Sequence, residues 1–228
     1  MSGLQQFWDQ GDAITRSVAA LLLAMSVSAW VLIFWKGWLL RRVRSDLARA
    51  VPAFWAAGNL DAAREQLLAF DRERALLPLL SAATAQPEAL TLEAQGRRES
   101  QLTRRLRDSL NAVLTQLRFG QVLLASIGST APFIGLFGTV WGIYHALVSI
   151  STAGSITIER VSGPVGEALV MTAAGLAVAI PAVLAYNIFG KLVAACEADL
   201  EGFAHDLREM QSDHAPATDG AASPPPHG

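Results

Sequence analysis

The sequence predicts an all-α membrane protein with three transmembrane helices and long cytoplasmic helical extensions. No Asp, Glu, Lys or Arg occurs between Arg118 and Glu159, nor between Glu167 and Lys191. A helix needs about 20 apolar residues to cross roughly 30 Å of hydrocarbon, so each stretch is long enough to span a membrane. A third charge-free run lies near the N-terminus, and 52% of the 228 residues are hydrophobic. That fraction is higher than is usual for a soluble domain.

The first span is expected over residues 17–35, after an N-terminal segment, residues 1–16, at the membrane interface. A cleaved signal peptide carries its positive charge ahead of a shorter apolar run. Here Lys36 and three arginines follow the run, and three tryptophans crowd the same end. Tryptophan is enriched where a membrane helix meets the headgroups. We therefore expect a retained span rather than a signal peptide.

The distribution of basic residues predicts the orientation of the chain. Residues 36–118 contain 14 of the 18 Lys and Arg side chains, whereas residues 151–166 contain one. Because cytoplasmic segments are enriched in Lys and Arg, we expect a cytoplasmic helical domain over 36–118 and a periplasmic loop over 151–166. The N-terminus is then outside and the C-terminus inside. The remaining expected bounds are 119–150 for the second span, 167–190 for the third, 191–211 for a cytoplasmic helix and 212–228 for a tail.

The tail, residues 212–228, lacks an apolar pattern and is rich in Pro, Ala and Gly. Such a segment buries too little apolar surface to offset the entropy lost on ordering, and we expect it to be disordered. Within the cytoplasmic part, the first helix is expected to continue over 38–57, with Pro52 as its kink or its end. Gly58 and Asn59 predict a turn, and residues 60–80 a short helical piece.

The second span is expected to continue a long amphipathic helix. Leucines recur at helical spacing from Leu102 to Leu117, ahead of the apolar run. An unbroken helix from Thr91 to Ile150 would be about 90 Å long at roughly 1.5 Å per residue. A helix of that length needs neighbours along it, which favours a bundle of subunits. The alternative is a break near Gly120.

Small residues form one narrow stripe on each of the last two spans, at alternating steps of four and three. The stripes are Gly128, Pro132, Gly135, Thr139, Gly142 and Ala146 on one helix, and Ala168, Thr172, Gly175, Ala179, Ala182 and Tyr186 on the other. Small side chains let helix backbones approach closely in lipid, where packing drives association. Close helix packing is expected at Gly135, Gly138, Gly142 and Gly175.

Two threonines and one glutamate are the polar candidates in these spans. Thr139 and Thr172 each place a hydroxyl on a stripe, although a threonine in a membrane helix often bonds back to its own helix. If the stripes line a common cavity, the two hydroxyls make a sparsely polar lumen. Glu167 lies about 140° around the helix from Thr172. It could lie at the mouth of the lumen, contact a neighbouring subunit, or simply favour a helix N-terminus.

Catalytic and nucleic-acid-binding functions find no support in the sequence. There is no metal-ligand spacing, phosphate loop or GxSxG elbow, and we expect no enzymatic activity, cofactor or metal site. His145 is expected to be an interfacial or packing residue rather than a general base. The formal net charge of −2 argues against a nucleic-acid binder. Cys196 is the one cysteine, so an intrachain disulfide is excluded.

The segments GSTAPFIGLFGTVWGI (128–143) and GEALVMTAAGLAVAIPAVLAYN (166–187) resemble the ExbB/TolQ family of proton-channel proteins, to which flagellar MotA proteins are distantly related. The resemblance is greatest to the ExbB branch. It implies a subunit of a proton-driven motor in the inner membrane of Gram-negative bacteria. It also implies lumen roles for Thr139, Thr172 and Glu167, and helix bends at Pro132 and Pro181.

The resemblance also implies partners. Proteins of the ExbB type form a pentamer around the single transmembrane helices of an ExbD dimer, each with an essential Asp, and they energise TonB for iron-siderophore transport. The sequence agrees with a need for such a partner, because neither charge-free span has a carboxylate of its own in its middle. A TolQ-like subunit of the Tol-Pal envelope motor and a passive membrane scaffold remain alternatives. Flagellar stator subunits have four spans rather than three.

Overall fold

The computed structural model describes residues 12–85, 97–153 and 158–213, and these ranges contain helices and no strand. The helices are α1 (Ala13–Trp55), α2 (Leu60–Phe70), α3 (Leu77–Thr84), α4 (Arg98–Arg118), α5 (Gln121–Ala153) and α6 (Ile158–Asp213). Three stretches are long and apolar enough to cross a membrane, and they lie in α1, in α4 with α5, and in α6. The prediction of an all-α protein with three spans is confirmed.

The chain divides into two compact units. The first contains the residues up to Leu40 together with Arg118–Leu192, and the second contains Arg41–Leu117 with the residues from Val193. The first unit therefore holds all three charge-free runs. The second holds most of the basic residues. The first unit is the one that carries the candidate site.

The first unit has a small core and a large apolar surface. Its buried residues include Val18, Leu22, Ala131, Met171 and Ala179. Large apolar side chains lie exposed on the outward faces of the helices; examples are Leu23, Phe34, Val122, Phe133, Val170 and Ile180. A water-soluble monomer rarely exposes apolar surface on this scale. Lipid or neighbouring subunits must cover these faces.

The junction between α4 and α5 corrects the expectation of one unbroken helix from residue 91 to 150. Gly120 has a φ of +78°, a conformation that side chains other than glycine rarely adopt. The helix ends at Arg118 and restarts at Gln121. The alternative of a break near Gly120 is therefore the correct one.

Lys36 stabilises this junction. Its side chain is fully buried, and its Nζ donates a 2.6 Å hydrogen bond to the carbonyl oxygen of Phe119. Carbonyl groups at the C-terminus of a helix lack partners within the helix and favour a nearby positive charge. The first basic residue after the first span thus binds the backbone where the next long helix is interrupted.

In the second unit, the segment after α1 begins with a capped turn. Asn59 Oδ1 accepts a 2.8 Å hydrogen bond from the amide of Ala62, so Asn59 caps α2. The expected turn at Gly58 and Asn59 is confirmed. Pro52 lies inside α1, within its last turn.

Residues 60–80 form two helices rather than the single expected piece. The chain leaves α2 at Asp71, which is buried and accepts 2.8 Å hydrogen bonds from three backbone amides at the start of α3. A side chain that satisfies three amides specifies a helix start at this point. The sequence reasoning did not weigh Asp71 as a cap, and the prediction of one helix here is wrong.

The expected loop over 151–166 is mostly helical, since α5 continues to Ala153 and α6 begins at Ile158. The expectation of a loop rests on the position of this segment between two charge-free spans and on its single basic residue, and neither feature determines the backbone conformation. At the other end α6 continues to Asp213, two residues beyond the expected bound. The N-terminal residues 1–11 and the rest of the expected disordered tail lie outside the described residues.

Candidate functional site

The two small-residue stripes face each other across the contact between α5 and α6. A Cβ added to Gly135 would be 2.6 Å from the carbonyl oxygen of Met171, and one added to Gly175 would be 2.6 Å from that of Ala131. Such distances leave no room for any side chain. The absence of a Cβ at both positions is what lets the two backbones meet.

Other stripe positions extend this contact in both directions. A Cβ on Gly142 would be 2.9 Å from the Cβ of Ala168, and one on Gly128 would be 2.5 Å from Cγ2 of Val183. Gly138 differs, because it lies against both other helices. An added Cβ there would be 3.1 Å from Val18 Cγ1 on α1 and from Met171 Cβ on α6.

Thr139 and Thr172 lie together in the middle of this contact. Their Oγ1 atoms are 3.2 Å apart, and the Thr139 hydroxyl also donates to the carbonyl oxygen of Leu136 at 2.6 Å. A threonine hydroxyl has one hydrogen to donate and two lone pairs. Because the hydrogen of Thr139 is used on Leu136, Thr172 donates to Thr139. The arrangement is a short donor chain that runs from α6 to α5.

The two hydroxyls differ in exposure. Thr139 is buried, with 4% of its surface exposed, whereas Thr172 is half-buried. Thr172 is therefore the more accessible member of the pair. It can accept a hydrogen bond from a group that approaches α6 from outside the α5–α6 contact.

The other predicted site residues lie near this pair but not in it. Glu167 is exposed, one residue before Ala168, which contacts Gly142. It precedes Thr172 by five residues, about one and a half turns of α6. Pro132 lies inside α5 and Pro181 inside α6, and each is half-buried. In the described parts of the chain, no group of three or more His, Cys, Asp or Glu side chains could hold a metal ion.

A polar cluster that the sequence reasoning missed joins the start of α1 to the last part of α5. We call Asp12, Trp141 and His145 the Asp12 cluster. Asp12 Oδ2 accepts a hydrogen bond from Trp141 Nε1 at 3.1 Å and lies 3.3 Å from His145 Nε2. Its Oδ1 accepts the amide of Ala13 at 2.8 Å and so begins α1. The available signals were an Asp ahead of an apolar run and the spacing of four between Trp141 and His145.

Comparisons with known proteins identify the family of this chain. Residues 74–202 match the family model described as the MotA/TolQ/ExbB proton channel family. A biopolymer transport protein ExbB of Xanthomonas campestris pv. campestris is 41% identical over 212 residues, which cover 88% of this chain and 83% of that protein. The ExbB of Neisseria meningitidis serogroup B is 40% identical over 211 residues, 90% of this chain and 94% of that protein.

A more distant relative is the Tol-Pal system protein TolQ of Pseudomonas aeruginosa. It is 32% identical over 189 residues, 77% of this chain and 78% of that protein. The chain belongs to the MotA/TolQ/ExbB proton channel family. It is accordingly a membrane protein and a subunit of a proton-channel motor.

Membership of a proton-channel family raises the question of which groups in this unit could take part in a proton path. A proton path needs a group that holds a proton at membrane depth, and such groups are costly in hydrocarbon and usually functional. Between Phe119 and Ile158, and between Ala168 and Gly190, the chain contains no carboxylate. The polar groups that it does place between α5 and α6 are the paired hydroxyls of Thr139 and Thr172.

Proposed function

We propose that this chain is the ExbB-like, pore-forming subunit of a proton-driven motor in the inner membrane. It would work with an ExbD-like single-span protein that carries an intramembrane Asp, and it would energise a TonB-like protein for outer-membrane transport of iron-siderophores and similar nutrients. The observation that carries this proposal is the Thr139–Thr172 hydroxyl pair, which offers hydrogen bonds at a depth where the chain has no acid. The 40–41% identity to proteins named ExbB supports the choice of branch.

The hydroxyl pair could distinguish the two states of the partner's acid. A protonated Asp carries one donor, which the lone pairs of Thr172 can accept while Thr172 still donates to Thr139. An ionised Asp only accepts, so Thr172 must turn its hydrogen away from Thr139 to bind it. That rearrangement breaks the 3.2 Å contact between the two hydroxyls. Protonation of the partner would thereby change how firmly its helix is held at this level.

The membrane potential supplies the driving force, about 2.3 kcal/mol per charge for each 100 mV. A proton from the periplasmic side neutralises the partner's Asp beside the pair, and its release on the cytoplasmic side restores the charge. Each cycle removes and restores the charge of the Asp, and so switches how the Asp hydrogen-bonds to the hydroxyls of one subunit. The inner helices turn in response, and the TonB-like protein transmits the motion across the periplasm.

A homo-oligomer, with a pentamer as the expected form, would enclose the partner. The exposed apolar faces of α1, α5 and α6 are suited to neighbouring subunits and to lipid. In such an assembly Glu167 would lie at the lumen mouth or against an adjacent subunit. Pro132 and Pro181 would bend their helices and leave carbonyl groups for water or a polar partner.

The proposed orientation places the N-terminus in the periplasm and the C-terminus in the cytoplasm. It rests on the 14 of 18 Lys and Arg residues that lie between Lys36 and Arg118. A cysteine-reactive probe that does not cross membranes tests it. With Cys196 replaced by Ala, a cysteine introduced at Ser162 should label in intact spheroplasts, and one at Ser212 should label only after lysis.

Replacement of the hydroxyls tests the proposed mechanism. Thr139→Val and Thr172→Val keep the shape of the side chain but remove the hydroxyl, and they should assemble with the partner yet fail to support siderophore uptake. Thr139→Ser and Thr172→Ser keep the hydroxyl and should retain most of the uptake. Uptake at the wild-type rate in assembled valine variants would rule out the threonine role.

A TolQ-like role in the Tol-Pal envelope motor is the second candidate, and the similarity to TolQ of Pseudomonas aeruginosa favours keeping it. Deletion of the gene separates the two. Loss of growth on siderophore-bound iron supports the ExbB-like role, whereas detergent sensitivity with normal iron uptake supports the TolQ-like one. A third hypothesis is that the chain is a passive membrane scaffold. Liposomes that contain the chain with its single-span partner would then show no proton flux beyond that of empty liposomes.

A further inference from the structure

The Asp12 cluster has the chemistry of a proton-binding site. The carboxylate of Asp12 lies within hydrogen-bonding distance of one ring nitrogen of His145, and the two side chains are 41% and 47% exposed. An imidazole ring can bind and release a proton, and a carboxylate beside it can pair with the ring. Partial exposure lets both groups exchange protons with water. A deeply buried pair could not exchange protons at a comparable rate.

A proton that arrives at the cluster binds to the imidazole ring of His145. The neutral ring carries a hydrogen on one nitrogen and a lone pair on the other, and in the imidazolium both nitrogens carry a hydrogen. The incoming proton adds to that lone pair, and the pair changes from a carboxylate beside a neutral ring to an imidazolium–carboxylate ion pair. When the proton leaves, the N–H bond breaks and its electron pair stays on the ring nitrogen.

The cluster is held in a fixed geometry by its neighbours. Asp12 is tied to the backbone of Ala13, and the Trp141 indole holds its second oxygen. The Trp141 and His145 ring centroids are 5.0 Å apart. The site is therefore assembled from two helices that are far apart in sequence, and it does not depend on one flexible side chain.

All three helices of this unit carry further ionisable residues. Arg16 follows Asp12 by one turn of α1, and the Tyr144 ring centroid is 5.9 Å from that of His145 on α5. On α6, exposed Glu167 precedes Ala168, the residue that contacts Gly142. Of these groups, the Asp12 carboxylate is in direct contact with the imidazole.

We propose that Asp12 and His145 form a proton-exchange site at the periplasmic mouth of the conducting path. His145 lies six residues from Thr139, about 9 Å along α5, and toward the end of the helix that the charge distribution places outside. The imidazole collects a proton from the periplasm, and the Asp12 carboxylate stabilises the positive charge while it is held. The proton then passes to water that leads toward the level of the threonine pair. This inference rests on the proposed function.

The test measures proton flux into liposomes that contain the chain with its single-span partner, as a function of external pH. His145→Gln keeps a polar side chain of similar length but cannot bind a proton, and Asp12→Asn removes the stabilising charge. Tyr144→Phe is the matched control on the adjacent residue. We expect flux near neutral pH to fall below the wild-type rate in His145→Gln and its dependence on external pH to flatten. Tyr144→Phe should keep the wild-type profile.

A second measurement detects proton binding at the Asp12 cluster and does not depend on proton flux. Fluorinated tryptophan is incorporated throughout, and the Trp141 resonance is identified by its loss in Trp141→Phe. The Trp141 resonance should change with pH in the wild type and stay constant in His145→Gln.

The outcomes separate the two proposals. If the wild-type chain with its partner carries no proton flux, the proposed function fails, and the Trp141 titration alone decides whether the site binds protons. If the wild type conducts but His145→Gln has the same pH profile, the exchange site is refuted. If His145→Gln does not assemble, a wild-type Trp141 resonance that ignores pH refutes it equally.

Discussion

Gly135 on α5 and Gly175 on α6 lie face to face, so that a Cβ added to either would be 3.1 Å from the Cα of the other. The nearest atoms to such a Cβ include backbone carbonyl oxygens at 2.6 Å, which no rotamer change can move. Gly175→Ala must therefore push the two helices apart. We expect the free energy of unfolding in detergent to fall by about 1–3 kcal/mol and the Thr139–Thr172 contact to loosen.

The control for this substitution lies on the same helix. Gly190→Ala would meet no atom within 4 Å, so it should leave the unfolding temperature of the purified protein unchanged or slightly raised. Thermal unfolding followed by size-exclusion chromatography measures both variants. Equal unfolding temperatures for Gly175→Ala and the wild type would contradict the close contact.

Lys36→Met tests the junction between α4 and α5. The substitution keeps the apolar stem but removes the donor to the Phe119 carbonyl, which leaves that oxygen without this bond in a buried setting. Loss of one partner from a buried hydrogen bond costs about 1–3 kcal/mol. We expect faster proteolysis near Gly120 and a lower unfolding temperature. Lys191→Met, which changes an exposed lysine of the same unit, should show neither effect.

Asp71→Ala tests the start of α3. The substitution removes the acceptor for three backbone amides, and loss of a helix cap costs about 0.5–2 kcal/mol. We expect hydrogen exchange to accelerate over residues 71–80 while exchange in α5 stays as in the wild type. Glu65→Gln, on an exposed face of α2, is the comparison variant. Unchanged exchange in Asp71→Ala would show that the amides find other partners.

Cys196 should be chemically inert in the folded protein. Burial raises the pKa of its thiol, the nearby Asp199 carboxylate raises it further, and Arg44 opposes these effects. Because the thiolate is the reactive form, a raised pKa and a fully buried side chain both slow alkylation. Maleimide labelling should be slow in detergent and complete after denaturation. Fast labelling of the native wild type, at the rate of an added cysteine at exposed Ser212, would contradict this.

The long apolar elements could be predicted from the sequence because lipid imposes a strong and simple constraint. A span needs a charge-free run of sufficient length, and all three runs were visible without any contact information. The helical spacing also placed Thr139 and Thr172 on the same kind of face. Their role in a proton path remains a proposal.

The predictions of helix bounds that were wrong concern places where a single local feature determines the backbone conformation. A stripe of leucines predicted an unbroken helix through Gly120, but the positive φ there interrupts it. The gap between two charge-free spans predicted a loop over 151–166, where most residues continue a helix. The helix start at α3 depends on one carboxylate, Asp71, whose three amide partners follow it by four to six residues. Average propensity reflects none of these individual contacts.

By itself the sequence determined the membrane setting, the number of spans and the small-residue stripes. Burial in lipid requires long apolar runs, and close approach of two helix backbones requires small residues at helical spacing, so both are visible in the sequence. The tertiary structure decided which groups meet. Asp12 and Trp141 are 129 residues apart in the chain, and Thr139 and Thr172 are 33 apart. Hydrogen bonds act over about 3 Å, so a pattern along one helix cannot reveal a partner that only the packing of a second helix brings within reach.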